Sequence, residues 1–206
     1  MNKTNIFDIQ AAKEFARINK KDNGFKIELI DDALNSIAKR NEYLNFFYSE
    51  LNKITKKQNL IMDRVGLIKS NGIKLRTQYE AVVFSFFSNL HEMLDSYPFI
   101  YLGINSDKKI KNNEVSWEKL QVKSKSLSEK ITGFKGDHNF KLLKDFNNYR
   151  KHGALPKIKN CGFHLEVNVD FCGGENYKDI NELLIKFHDG LLPKYFEILH
   201  LTFKES

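Results

Sequence analysis

The chain has 206 residues, 41% of them hydrophobic, only three Pro and 11 Gly, and a formal net charge of +7, which argues against a disordered chain and against a loop-rich all-β fold. No apolar run approaches the roughly 18 residues of a membrane-spanning helix, the first residues lack the apolar core of a secretory signal, and Cys161 and Cys172 provide neither a disulfide framework nor a zinc-ligand spacing. We therefore expect a cytoplasmic protein with no membrane partner, no metal and no cofactor.

Hydrophobic side chains recur every three or four residues over most of the chain, which predicts a mainly α-helical protein. The breaks at Asn23-Gly24 and Asn71-Gly72 separate the first helices. The third helix is apolar almost all round, as expected of the buried centre of a bundle, and Pro98 follows it. We expect Pro193 to kink the last helix. The predicted helices cover residues 6–20, 26–71, 74–97, 122–132, 138–152 and 178–203, and the second is either continuous or broken near residues 56–59.

Residues 162–171 alternate strictly between apolar and polar side chains, which is the pattern of a strand with one buried face. A single strand leaves its backbone groups unpaired, so it needs a partner. The local partner is 155–159, and a strand of a second subunit is the alternative. We predict one small β-hairpin near residues 155–171. The whole chain, 1–206, is expected to form a single helical domain with a core bundle at about 26–155 and the hairpin and last helix at 156–206.

The positive charge is concentrated in one segment. From Asp107 to Lys159 there are 14 Lys or Arg against 6 Asp or Glu, a net charge of +8, whereas the remainder has 19 against 20. Clustered basic side chains release counterions when they bind phosphates, so this segment predicts a polyanionic partner such as a nucleic acid. The alternative is a lysine-rich face that is only solvated.

Two polar clusters lie on otherwise apolar predicted helices. His91 and Asp95, four residues apart, can form a pair in which the carboxylate fixes the imidazole tautomer, or a purely structural pair. The helix at 138–152 ends in amide, guanidinium and imidazole side chains. In a regular helix Arg150 and His152 are about 200° apart, so they share one small site only if the helix unwinds near Lys151. The alternative is a polar helix end whose cations complement the helix dipole.

The segments Phe86-Phe-Ser-Asn-Leu-His-Glu-Met-Leu-Asp95 and Leu143-Lys-Asp-Phe-Asn-Asn-Tyr-Arg-Lys-His152 resemble motifs of uncharacterised bacterial proteins of the HEPN-like superfamily. The resemblance covers about residues 26–155 and implies an antiparallel helical bundle that dimerises near the polar motif. The superfamily includes metal-independent RNases and toxins, abortive-infection and other phage-defence proteins, and members that only bind nucleotides or partners. HEPN nucleases carry an Arg separated from the His by four to six residues. Here those positions hold Asn147, Phe146 and Asp145.

Two functions are therefore open, both with a homodimer and with RNA or a phage or host protein as partner. The first is a HEPN-like antiviral (abortive-infection) or toxin-type protein that acts on RNA and, if it cleaves, is a metal-independent endoribonuclease. The second is a non-catalytic RNA-binding or protein-interaction module. For cleavage, His152 is the expected general acid and base, Arg150 or Lys151 stabilises the phosphate charge, and Asn148 orients the substrate. Candidate nucleic-acid or partner contacts are Asn147, Lys151, Lys144, Lys157 and Lys159, with His91 and Asp95 in support.

Overall fold

The computed structural model describes residues 7–65, 70–110, 114–152, 156–160, 165–170 and 174–204, with their side chains except at 55–76, 152 and 160. The helices and strands are α1 (Ile9–Asn19), α2 (Ile27–Val65), α3 (Ser70–Asn105), α4 (Lys125–Gly136), α5 (His138–His152), β1 (Ile158–Asn160), β2 (Leu165–Asn168), β3 (Tyr177–Asp179), α6 (Ile180–Ile185) and α7 (Leu192–Thr202). A 3-10 turn covers Trp117–Lys119, and a π-helical segment covers Lys186–Leu191. The expectation of a mainly helical protein with a small antiparallel sheet is confirmed.

The chain divides into two compact units. Unit 1 consists of Met1–Asn41, Glu92–Asp137 and Leu192–Ser206, and unit 2 consists of Glu42–His91 and His138–Leu191. Each unit therefore contains part of α2 and part of α3. The single domain over 1–206 stays a prediction.

The core of unit 1 is an aromatic cluster on α3, the 3-10 turn, α4 and α7. The Trp117 ring centroid lies 5.0 Å from that of Tyr97 and 5.1 Å from that of Phe134. Tyr195 donates a 2.8 Å hydrogen bond to a backbone carbonyl of α3, and the hydroxyls of Tyr97 and Thr202 are 2.8 Å apart. Burial raises the pKa of both tyrosines. Both phenols therefore stay protonated at neutral pH, and their hydrogen bonds satisfy polar atoms inside the core.

The side chain of Asn23 caps the C-terminal end of α3. Its buried amide nitrogen lies 3.1 Å from the carbonyl oxygen of Leu102, 2.9 Å from that of Gly103 and 3.2 Å from that of Ser106. Its oxygen accepts a 3.1 Å hydrogen bond from the backbone N–H of Phe25. The next residue, a glycine, has a φ of +84°, so the expected break between the first two helices is confirmed. The last carbonyl groups of a helix have no partner within it, and this amide supplies one.

The core of unit 2 is centred on Phe87 of α3. Its ring centroid lies 4.7 Å from that of Phe146 on α5 and 5.2 Å from that of Phe187 on the π-helical segment. α2 adds Leu44 and Leu51, which are fully buried. α5 also contacts the π-helical segment. These contacts determine which face of α5 is buried.

The three strands form one antiparallel sheet in the order β1-β2-β3. β1 pairs with β2, with Ile158 opposite Val167, so the expected local hairpin is confirmed. Leu165 and Val167 are buried, as the alternating pattern predicted, and α6 contacts β2 and β3. Phe163 and Phe171 of the same pattern lie outside the described residues. β3 corrects the predicted helix at 178–203, because Tyr177–Asp179 form a strand and the helix begins only at Ile180.

Two predicted boundaries of α3 are wrong. Asn71-Gly72 lies in the first turn of α3 rather than between helices. The helix also continues through Pro98 to Asn105, although proline removes one helical hydrogen bond. Tyr97, Pro98 and Ile100 are buried, and this burial offsets the loss.

The irregularity expected at Pro193 takes the form of the π-helical segment. Pro193 lies in the first turn of α7, directly after Lys186–Leu191. Its ring has no N–H to donate and crowds the carbonyl group four residues earlier. A π-helical turn is wider than an α-helical turn and leaves room for the ring.

Replacing the buried amide tests the role of Asn23. We expect Asn23→Ala to lower the free energy of unfolding by about 1 to 3 kcal/mol, because buried carbonyl groups at the end of α3 lose their donor. Urea denaturation measures this change. The control is Asn35→Ala, an exposed position on α2, which we expect to change stability by less than about 0.5 kcal/mol. Equal effects of the two substitutions would contradict the capping role.

Candidate nucleic-acid interface

One side of α5 carries basic and amide side chains, namely Lys141, Lys144, Asn148 and Lys151. At 3.6 residues per turn these positions fall within an arc of about 80° and extend about 15 Å along the helix axis. Lys144 is half-buried and the other three are exposed. We call these four residues the α5 basic face. Lys141 was not among the candidates from the sequence, although its spacing from Lys144 and Asn148 places it on their side of the helix.

The α5 basic face has few compensating charges. From His138 to Lys159 the sequence has one acidic residue, Asp145, which is exposed and about 40° from Lys141 around the helix. Within the part of the chain that the structure describes, neither Lys141 nor Lys151 forms an ion pair. Two solvated ammonium groups on one helix side are thus available to a polyanion.

The other side of α5 is buried and includes Asn147. This residue is 1% exposed, and its amide nitrogen lies 3.3 Å from the carbonyl oxygens of both Phe87 and Leu143. Asn147 was predicted to contact a nucleic acid or partner. Its burial corrects that placement, because a side chain enclosed between α5 and α3 presents no surface to a partner. The amide instead joins the two helices.

Arg150 also faces α3. One guanidinium nitrogen lies 2.5 Å from the hydroxyl oxygen of Ser88, and its Nε is buried without a hydrogen-bond partner among the described residues. Around the helix, Arg150 is about 140° from the centre of the α5 basic face. Arg150 therefore lies on the buried side of α5, which explains why its guanidinium group packs on α3.

The backbone of α5 stays helical through His152. The unwinding near Lys151 that would bring Arg150 and His152 into one small site is therefore not observed, and the two positions remain about 200° apart. By backbone position, His152 is about 40° from Asn148, on the side of the α5 basic face. The His152 side chain lies outside those that the structure describes.

The strand that follows α5 adds two exposed lysines in the same unit. Lys157 precedes β1 and Lys159 lies on it. The Lys159 ammonium group is 5.3 Å from the ring centroid of Tyr177 on β3, a cation–π distance. Both predicted contact residues are thus at the surface.

The proposed supporting pair on α3 has one buried and one exposed member. His91 is 5% exposed and belongs to unit 2, whereas Asp95 is exposed and belongs to unit 1. Asp95 adds to the rise in the pKa of Tyr195, whose main cause is burial. The supporting role of the pair stays a prediction.

A histidine that the sequence showed only as isolated lies in a polar cluster of unit 2. The His188 ring stacks on Tyr48 with centroids 4.0 Å apart and planes 2° apart. Its Nδ1 lies 2.6 Å from Oδ1 of Asp189, and its Nε2 lies 3.3 Å from Oδ1 of Asn45. Each ring nitrogen of His188 thus faces an oxygen that can accept a hydrogen bond. The pKa of Tyr48 is raised, mainly by desolvation and also by Asp189.

This cluster joins α2 to the π-helical segment. An imidazole oriented by a carboxylate is an arrangement used in acid–base chemistry, and π-helical turns are frequent at functional sites. The same contacts also serve packing alone. No pattern of local spacing in the sequence could show the cluster, since Asn45 and His188 are 143 residues apart.

Comparison of the chain with protein-family models, with curated proteins and with solved structures found no match. The HEPN-like family, and the helical bundle and homodimer that the resemblance implies, therefore stay predictions. Among the described residues no group of three or more His, Cys, Asp or Glu side chains is placed to hold a metal ion. None of the described helices combines the length and apolarity needed to cross a membrane.

Two adjacent asparagines on α5 test which side of the helix is structural. We expect Asn147→Ala to lower the free energy of unfolding by about 0.5 to 1.5 kcal/mol, because it removes the buried hydrogen bond from α5 to the carbonyl of Phe87 on α3. Asn148→Ala removes an exposed amide, and we expect a change within about 0.5 kcal/mol. Chemical denaturation of both variants measures the difference. A larger loss for Asn148→Ala would contradict the orientation of α5.

Proposed function

We propose that this protein binds RNA through the α5 basic face, with Lys157 and Lys159 as additional contacts, and that Arg150 takes no direct part. The observation that carries the proposal is the exposed side of α5, where Lys141 and Lys151 have no ion pair to another described residue. Ammonium groups in this state bind phosphates at little cost, because no internal carboxylate has to be displaced and counterions are released.

Phosphate contacts by lysines position a nucleic acid but carry no sequence information. Asn148 adds an exposed amide that can donate to and accept from a base or a ribose hydroxyl. RNA is chosen over other polyanions because of the HEPN-like resemblance, which also suggests phage defence or a toxin-type role. In the homodimer that the same resemblance implies, two α5 basic faces would serve one RNA.

Binding is favoured over cleavage because the predicted catalytic residues do not converge on one side of α5. Arg150 packs against Ser88, and its position is about 200° from His152. A guanidinium held in this way cannot approach a phosphate bound beside His152. The placement therefore supports an RNA-binding module first.

One observation keeps metal-independent cleavage as a second candidate. The backbone position of His152 lies on the side of Asn148. There, His152 would take the proton from a ribose 2′-hydroxyl as its oxygen attacks phosphorus. The bond from phosphorus to the 5′-oxygen would break, leaving a 2′,3′-cyclic phosphate, and the 5′-oxygen would take a proton from water. Lys151 rather than Arg150 would stabilise the phosphate charge.

Charge reversal tests RNA binding. We expect the double variant Lys141→Glu/Lys151→Glu to bind a fluorescein-labelled single-stranded RNA on the order of tenfold more weakly at low salt. We also expect its slope of log affinity against log salt to fall by about 1.4, at about 0.7 per lost phosphate contact. Fluorescence anisotropy over a salt series measures both quantities.

The matched control is Lys108→Glu/Lys119→Glu, which makes the same charge change at exposed positions of unit 1. We expect it to retain most of the affinity. Equal loss in both double variants would show that only net charge matters and would contradict a defined α5 basic face.

Incubation with total RNA in EDTA distinguishes binding from cleavage. The RNA-binding proposal predicts intact RNA with the wild-type protein and unchanged affinity in His152→Ala. If the wild-type protein degrades RNA in EDTA and His152→Ala does not, metal-independent cleavage replaces simple RNA binding as the proposed function. Degradation that persists in His152→Ala would exclude this histidine from the reaction.

A further inference from the structure

Unit 1 contains a cleft of about 190 Å³ beside the N-terminal end of α4. One part of its lining is apolar and includes Leu127 and Leu201. The other part is polar and includes Asn105, Lys21 and Lys123. The cleft therefore combines a small hydrophobic wall with two ammonium groups.

Both lysines of the cleft are held by one carboxylate. Nζ of Lys21 lies 2.5 Å from Oδ1 of Asp107, and Nζ of Lys123 lies 3.4 Å from Oδ2. The hydrogen bond from Lys21 is the main cause of the lowered pKa of Asp107. The carboxylate of Asp107, an oxyanion of the chain itself, thus already lies between the two ammonium groups.

The charge of this group is incompletely balanced. Two ammonium groups share one carboxylate, which leaves one positive charge among the three side chains. The Asp107 side chain is 60% exposed, so it can leave the lysines for water at little cost, because ion pairs at the surface are weak. A dianion in its place would neutralise both lysines. Ser124, whose side chain caps α4, also lines the cleft, and the positive end of the α4 dipole adds to the attraction.

We propose that this cleft binds the terminal phosphate of a small phosphate monoester, with Lys21 and Lys123 as the phosphate-binding residues and Asp107 as an internal competitor that the phosphate displaces. A phosphate monoester fits better than a carboxylate because its two charges match two lysines. The organic part of the ligand packs on Leu127 and Leu201. The inference does not rest on RNA binding, since the cleft belongs to unit 1 and the α5 basic face to unit 2.

The test is a titration of the isotope-labelled full chain, followed by NMR, with inorganic phosphate and with phenyl phosphate as probes. We expect saturable shifts of the amide signals of Ser124 and Leu127, and tighter binding of phenyl phosphate because its ring reaches the apolar wall. Asp107→Asn should tighten binding about twofold to fivefold, the factor that corresponds to the loss of a competing exposed ion pair. Lys123→Ala should weaken binding about twofold to fivefold or more, because it removes one of the two phosphate-binding ammonium groups.

The matched control is Lys130→Ala, which removes an exposed lysine of α4 that is paired with Glu197 at 2.7 Å. It should leave the affinity unchanged. Three results would overturn the proposal: no saturable shifts even in Asp107→Asn, no tightening in Asp107→Asn, or equal weakening in Lys123→Ala and Lys130→Ala. Thermal unfolding of each variant confirms that it is folded, which is expected because all three side chains are largely exposed.

Discussion

The packing of α5 against α3 decides which side chains of α5 are buried and which reach solvent. Phe146 meets Phe87 edge to face at 4.7 Å, and the buried amide of Asn147 bonds the Phe87 carbonyl in the same turn. Once this side of α5 is buried, the period of 3.6 residues per turn fixes the direction of every other side chain on the helix. Arg150 is directed to α3 and Lys141 and Lys151 to solvent. The polar end of α5, which forms one cluster in the sequence, is thus divided between a buried side and a side exposed to solvent.

The lysines of the cleft and the exposed lysines of the α5 basic face differ in their charge partners. At the cleft, Lys21 and Lys123 both pair with Asp107. An anion that binds there must replace a carboxylate, so selective binding of a small dianion is the chemistry that the site favours. In unit 2, the exposed lysines of α5 have no such competitor among the described residues. The proposed binding of RNA would therefore consist of weak, additive contacts that depend strongly on salt.

Local periodicity was enough to predict much of the fold. The spacing of Phe140, Leu143 and Phe146 predicted α5, and the alternation through Leu165 and Val167 predicted β2. Other features depend on contacts between distant parts of the chain. The continuation of α3 through Pro98 and the stacking of His188 on Tyr48 are stabilised by tertiary packing, which no local pattern reports. Asn147 was misplaced for a different reason. In the sequence, Asn147 lies on the same helical face as the apolar residues Leu143 and Phe146. A polar amide at such a position predicts a surface contact as readily as a buried donor, and only the packing against α3 distinguishes the two.

The most direct test of the proposed RNA binding by α5 is ultraviolet crosslinking of the protein to single-stranded RNA, with the crosslinked peptides identified by mass spectrometry. RNA binding by the α5 basic face predicts crosslinks within residues 141–151, where Tyr149 is partly exposed, and on the peptide that contains Lys157 and Lys159. Competition with excess salt should remove these crosslinks. Crosslinks confined to unit 1, or an absence of crosslinks at low salt, would contradict it.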